Sequence, residues 1–155
     1  MKLDACDKKI PSELKFLTKI HTSKICCCTA PVCEKSKSSC CDCNIIGQTE
    51  YIVGEAFVLN TLGEQEQVAI WYSTQTVIDD KEDYVVLNIE DIWRFNKDDS
   101  LYTKYQAIQF KKTNKVEYFV GWAGMGTGKY LGHEGTIKTS LTSDGFVYRE
   151  VIFHK

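Results

Sequence analysis

The first 48 residues of this 155-residue chain contain a single aromatic side chain, Phe16, and one glycine, Gly47. Large aromatics dominate core energetics, so this stretch reads as too poor in them to fold on a core of its own. The remaining residues lack the opposite set: both prolines and all eight cysteines lie before residue 47, and every glycine lies from Gly47 onward. No apolar run approaches the roughly 18 residues that a membrane-spanning helix needs. The opening Met1-Lys2-Leu3-Asp4-Ala5-Cys6-Asp7-Lys8 is too charged for a signal peptide, and there is no Asn-x-Ser/Thr acceptor. A cytoplasmic protein is therefore expected. A basic excess is also missing: 19 Lys and Arg stand against 21 Asp and Glu, which argues against a nucleic-acid binder held by phosphate contacts.

The small net charge hides a division. Residues 1–48 carry 8 basic and 5 acidic groups, whereas residues 49–155 carry 11 and 16. The pattern predicts a basic, cysteine-rich, largely disordered arm over 1–48 and an acidic domain over 49–155, of a size common for single domains.

Within 49–155, runs rich in β-branched and aromatic residues cover 51–59, 67–78, 84–95, 101–110, 116–123, 135–141 and 146–153. They are separated by turn formers such as Asn96-Lys97-Asp98-Asp99-Ser100 and Ser143-Asp144-Gly145. An all-β protein follows, best built as a closed antiparallel up-and-down barrel of about eight strands, since closure removes exposed edges. The eighth strand would come from 128–132 or from the arm.

Alternation along the runs marks charges within apolar stripes. Asp91 shares a face with Val85, Leu87, Ile89, Trp93 and Phe95; Glu55 with Tyr51, Val53, Phe57 and Leu59; Arg149 with Val147, Val151 and Phe153. Lumen charges need partners, so Asp91 and Arg149 are read either as a structural ion pair or as ligand-facing groups. If catalysis occurs, Glu55 or Asp91 is the candidate proton-transfer carboxylate, with Tyr105 or Tyr118 orienting the substrate. Tyr72, Trp93, Trp122 and Arg149 are the candidate ligand contacts, although aromatic stripes also serve simply as core.

Residues 121–135 hold six of the ten glycines. A Walker A loop fails here, because Ala123 stands where glycine is needed and Tyr130 where Ser or Thr is needed; the dinucleotide fingerprint fails as well. The sequence Gly126-Thr127-Gly128-Lys129-Tyr130-Leu131-Gly132-His133-Glu134-Gly135, followed by two strands, resembles the Gly-Thr-Gly-x-aromatic-x-Gly-x-x-Gly signature of allene oxide cyclase and dirigent-like barrels. The resemblance spans about residues 50–155, with motif-level likeness in the final third. It implies an eight-stranded barrel whose lumen accepts an apolar small molecule without a required cofactor, often in a homodimer or homotrimer. It also implies either cyclase or isomerase activity on an apolar oxygenated substrate or a purely steering role. The signature glycines are structural in that class and carry no catalytic role over.

The cysteines are the remaining anomaly, with seven between Cys26 and Cys43. Cys28, Cys33, Cys40 and Cys43 supply four thiolates at spacings that suit zinc or copper(I). Leu14, Phe16, Leu17, Ile20 and Ile25, interspersed with Lys15, Lys19 and Lys24, also suit a basic amphipathic helix that would contact a membrane if the adjacent cysteines were acylated. Disulfide pairing and a disordered arm of reduced thiols complete the alternatives.

Overall fold

The structure, a computed structural model, describes residues 10–27, 46–59, 61–142 and 146–154. The described residues are all β, with nine antiparallel strands among them: β1 (Glu13–Cys27), β2 (Gln48–Leu59), β3 (Gln65–Asp80), β4 (Tyr84–Arg94), β5 (Ser100–Phe110), β6 (Val116–Tyr118), β7 (Gly121–Thr127), β8 (Gly135–Leu141) and β9 (Val147–Phe153). Neighbours run β4-β3-β2-β1-β9-β8-β7-β5, and pairing of β4 with β5 closes eight strands into a barrel, while β6 pairs with β5 at 107–109, beyond the stretch 100–104 that pairs with β7. No helix among the described residues is long and apolar enough to cross a membrane.

The expected boundary at residue 49 moves. β1, placed in the arm by composition, lies between β2 and β9, with Leu17 opposite Phe57 and Phe16 opposite Arg149. A barrel of β2–β9 alone would leave two unpaired edges, and β1 covers both. Its apolar residues do not form the helical face read for membrane contact. Leu14, Phe16 and Thr18 are wholly or partly buried, while Lys15 and Lys19 next to them are exposed, which is strand alternation. The eighth strand thus comes from the arm, and the alternative segment holds a single 3-10 turn, Gly128–Tyr130. The expected run 116–123 divides into β6 and the start of β7.

Side-chain size sets the packing. Trp71 on β3 and Trp93 on β4 are fully buried and stack with ring centroids 5.8 Å apart and planes within 10°. Trp71 fits only because β2 presents Gly54 beneath it, where an added Cβ would lie 2.9 Å from Trp71 Cε3 and 2.2 Å from the Lys19 carbonyl oxygen. Phe16 packs on Trp93 at 4.8 Å. At one end of the barrel, Asn96 Oδ1 accepts from the backbone N–H groups of Asp98 and Asp99 at 2.8 and 2.9 Å. Asp99 Oδ1 in turn accepts from Lys129 N at 3.0 Å, and Gly128 has φ +61°, in the left-handed region that favours glycine. The Gly-Thr-Gly segment is thus fastened to the β4–β5 turn, a structural role.

Candidate functional site

Asp91 on β4 and Arg149 on β9 both point into the lumen, 0% and 1% exposed, with Arg149 Nη1 3.7 Å from Asp91 Oδ2. Each is held by neighbours from other strands. Asp91 Oδ1 accepts from Trp71 Nε1 at 3.0 Å, and Oδ2 accepts from Thr103 Oγ1 at 3.3 Å. The Thr103 hydroxyl accepts in turn from Trp93 Nε1 at 2.9 Å. Arg149 Nη1 donates to the Tyr105 hydroxyl and, at 3.4 Å, to Thr139 Oγ1. The guanidinium carbon lies 4.9 Å from the Trp71 ring centroid, 5.4 Å from Trp93, 5.5 Å from Tyr105 and 6.0 Å from Tyr118. Four aromatic rings thus surround the cation and add quadrupole attraction to its ion pair.

This packing decides the protonation states. Burial pushes the Tyr105 hydroxyl well above its ordinary range, with Arg149 pulling the other way, so it remains a neutral phenol. Tyr118 is raised by burial as well. For Arg149, burial works to lower the value, but Tyr105, Asp91 and Tyr118 outweigh it, and the group stays protonated.

Beside Arg149 the lumen opens into a cavity of about 230 Å³. Trp71, Tyr118 and Arg149 line it together with the apolar side chains of Ile25, Ile52, Val77, Leu87 and Val147. Its polar lining comes from Gln48, Glu50, Gln75 and Gln109. Ile25 and Gln48 belong to the end of β1 and the start of β2, where Cys27 pairs with Gln48. Cys28, Cys33, Cys40 and Cys43 lie outside the described residues.

The residues singled out from the sequence divide between the two faces of the wall. Asp91, Trp93, Tyr105 and Arg149 are buried in the lumen, and Tyr118 packs against Tyr105 at 6.1 Å. Glu55 does not join them: it is on the outward face of β2, between exposed Val53 and buried Ala56, and pairs with His21 Nε2 at 3.2 Å. Tyr72 also points outward, 39% exposed, because its neighbour Trp71 takes the inward position. Trp122 lies outside too, over Gly124, with Nε1 donating to Glu134 Oε1 at 3.3 Å, while Ala123 takes the inward place on β7. Sequence reading missed Trp71, Thr103 and the three cavity glutamines. Trp71, Ser73, Gln75 and Val77 do alternate along β3, but so do Ile70, Tyr72, Thr74 and Thr76, so the signal had two equal solutions.

Fold and lumen define a class: a closed eight-stranded barrel, plugged at its centre by an aromatic-caged ion pair and hollow at one mouth. No family model, curated protein or solved structure matches the chain.

Proposed function

We propose that this barrel binds an apolar small molecule in the cavity at the mouth of its lumen, as the resemblance of its glycine segment to allene oxide cyclase and dirigent-like barrels suggests. The cavity carries the reading: a partly open space of about 230 Å³ is lined by aliphatic and aromatic side chains, with the polar groups of Gln48, Glu50, Gln75, Gln109 and Arg149 to set orientation. A cavity of about 150 Å³ holds benzene, so this one suits an apolar body of roughly nine non-hydrogen atoms. Binding is better supported than a cyclase or isomerase step. Glu55 is outside the barrel, and both Asp91 oxygens accept hydrogen bonds from within the plug, so neither carboxylate stands ready as a base. In this reading Asp91 positions Arg149, and Tyr118 is the candidate group that meets a ligand.

Butylbenzene tests it. Ligand at 100 times its Kd stabilises by about 2.7 kcal/mol, which raises Tm by roughly 5–10 °C for a chain of this size. A saturable rise of that order is expected, together with a change in tryptophan emission from Trp71 at the cavity wall. Val77→Phe, which fills the cavity, should remove both effects. A Tm unchanged at saturating butylbenzene overturns the proposal.

A further inference from the structure

A buried guanidinium needs acceptors for its N–H groups and a partner for its charge. Arg149 is incompletely supplied with the first and fully supplied with the second. Its Nη1 is committed to Tyr105, Thr139 and Asp91, yet Nε is a buried donor without an acceptor among the described residues. Leaving such a donor unmade is costly in an interior. Arg149 is also part of the cavity lining, so an acceptor entering the cavity arrives beside this side chain, and a small shift of the guanidinium is what would bring a donor to it.

The charges there select what kind of acceptor fits. Asp91 already neutralises Arg149 at 3.7 Å, and Glu50 contributes a further acid to the cavity wall. A carboxylate on the ligand would surrender its hydration and face two like charges across a poorly solvated space. A carbonyl oxygen has no such charge to desolvate and still takes a charge-assisted hydrogen bond from the arginine.

We infer that the ligand is an uncharged carbonyl compound, its apolar body held by the cavity walls and its carbonyl oxygen received by Arg149, with Asp91 holding that arginine in place and cancelling its charge. The inference rests on the cavity reading above and adds the chemical class of the ligand.

Calorimetric titration of the full chain with three probes of matched size tests it: butylbenzene, 4-phenylbutan-2-one and 3-phenylpropanoate. The ketone should bind at least about tenfold more tightly than the carboxylate. The double variant Arg149→Met with Asp91→Asn removes both charges and keeps an acceptor for Trp71. There the ketone's affinity relative to that of butylbenzene should fall about tenfold. In Asp91→Asn alone, the uncancelled arginine should improve carboxylate binding about tenfold. A carboxylate that matches the ketone on the native chain, a ketone indifferent to the double variant, or no carboxylate gain in folded Asp91→Asn overturns the inference and leaves the cavity reading standing. Failure of butylbenzene to bind removes both. Should Asp91→Asn not fold, the native ranking and the double variant decide.

Discussion

Phe16→Ala asks whether β1 belongs to the barrel. Phe16 is 3% exposed, faces the lumen opposite Arg149 in the β1–β9 register, and packs on Trp93 at 4.8 Å. Removing a buried Phe side chain costs about 3–5 kcal/mol, the sum of lost transfer energy and the void left behind. Small native domains hold only about 5–15 kcal/mol in total, so the loss is a large share. At about 2–4 °C per kcal/mol, Tm should fall by roughly 6–20 °C. Near-ultraviolet circular dichroism is the right assay, because Trp93 reports on the packing being removed. Lys19→Ala, at an exposed site on the same strand, is the control and should change stability by no more than about 0.5 kcal/mol. A coreless arm predicts no difference between the two variants. If Phe16→Ala melts within about 2 °C of the native chain, the assignment of β1 to the barrel is wrong.

Alkaline unfolding should follow from the tyrosines. Burial and the Glu90 hydrogen bond push Tyr102 up to about 12; burial and Asp99 do the same for Tyr130, and burial also raises Tyr105. These groups hold their protons longer folded than unfolded, so their contribution is complete below pH about 10 and is lost as pH rises through about 12. Ultraviolet titration of phenolate should show late ionisation coincident with unfolding; early, complete ionisation of a still-folded chain would contradict it. Outside the barrel, Val53, Tyr72, Ile92 and Tyr102 lie side by side across β2, β3, β4 and β5, and the first three are 37%, 39% and 49% exposed. That row predicts a homodimer or homotrimer by light scattering, reduced to monomer by Tyr72→Glu with Ile92→Glu; a monomeric native chain counts against it. Cys28, Cys33, Cys40 and Cys43 are a proposed zinc or copper(I) set, so metal analysis of untagged protein should find bound metal that Cys40→Ser with Cys43→Ser releases. Arg149→Met alone should cost about 3–5 kcal/mol in thermal unfolding by stranding Asp91, and adding Asp91→Asn should restore most of it.

How legible each strand was depended on the contrast between its two faces. β4 was clear because its inward row from Val85 to Trp93 is apolar apart from Asp91, while its outward row includes Asn88, Glu90 and Arg94; Asp91 could therefore be placed inside from sequence. β2 misled because its inward residues are small. Gly54 and Ala56 look less like core than the exposed Tyr51 and Val53, yet they are small because Trp71 fills the space above Gly54. Alternation gives the period of a strand, not which face is inside, and Glu55 was assigned the wrong sign for that reason. The outward row of Val53, Tyr72 and Ile92 compounds the ambiguity by making the outside as apolar as the inside. β1 was hidden by composition: its fifteen residues contain one aromatic and no glycine, and only the open edges of β2 and β9 identify it as a strand.

The central plug is harder to account for by stability than the strands are. An ion pair with no exposure to water gives up hydration that its Coulomb attraction only partly returns, and well-packed apolar residues of similar volume are often as stable or more so. Trp71, Trp93, Phe16 and Ile89 already supply a dense apolar neighbourhood in which leucine or methionine would fit chemically at both positions. What apolar side chains could not supply is a donor beside the cavity with its charge already cancelled. Asp91 is bonded by Trp71 at Oδ1 and by Thr103 at Oδ2, the oxygen nearest Arg149, so it acts as a fixed counter-charge, and the guanidinium it restrains is the group left with an unused donor. A polar network that is costly as packing and incomplete as a hydrogen-bond set is more readily explained by the proposed ligand than by the barrel it fills.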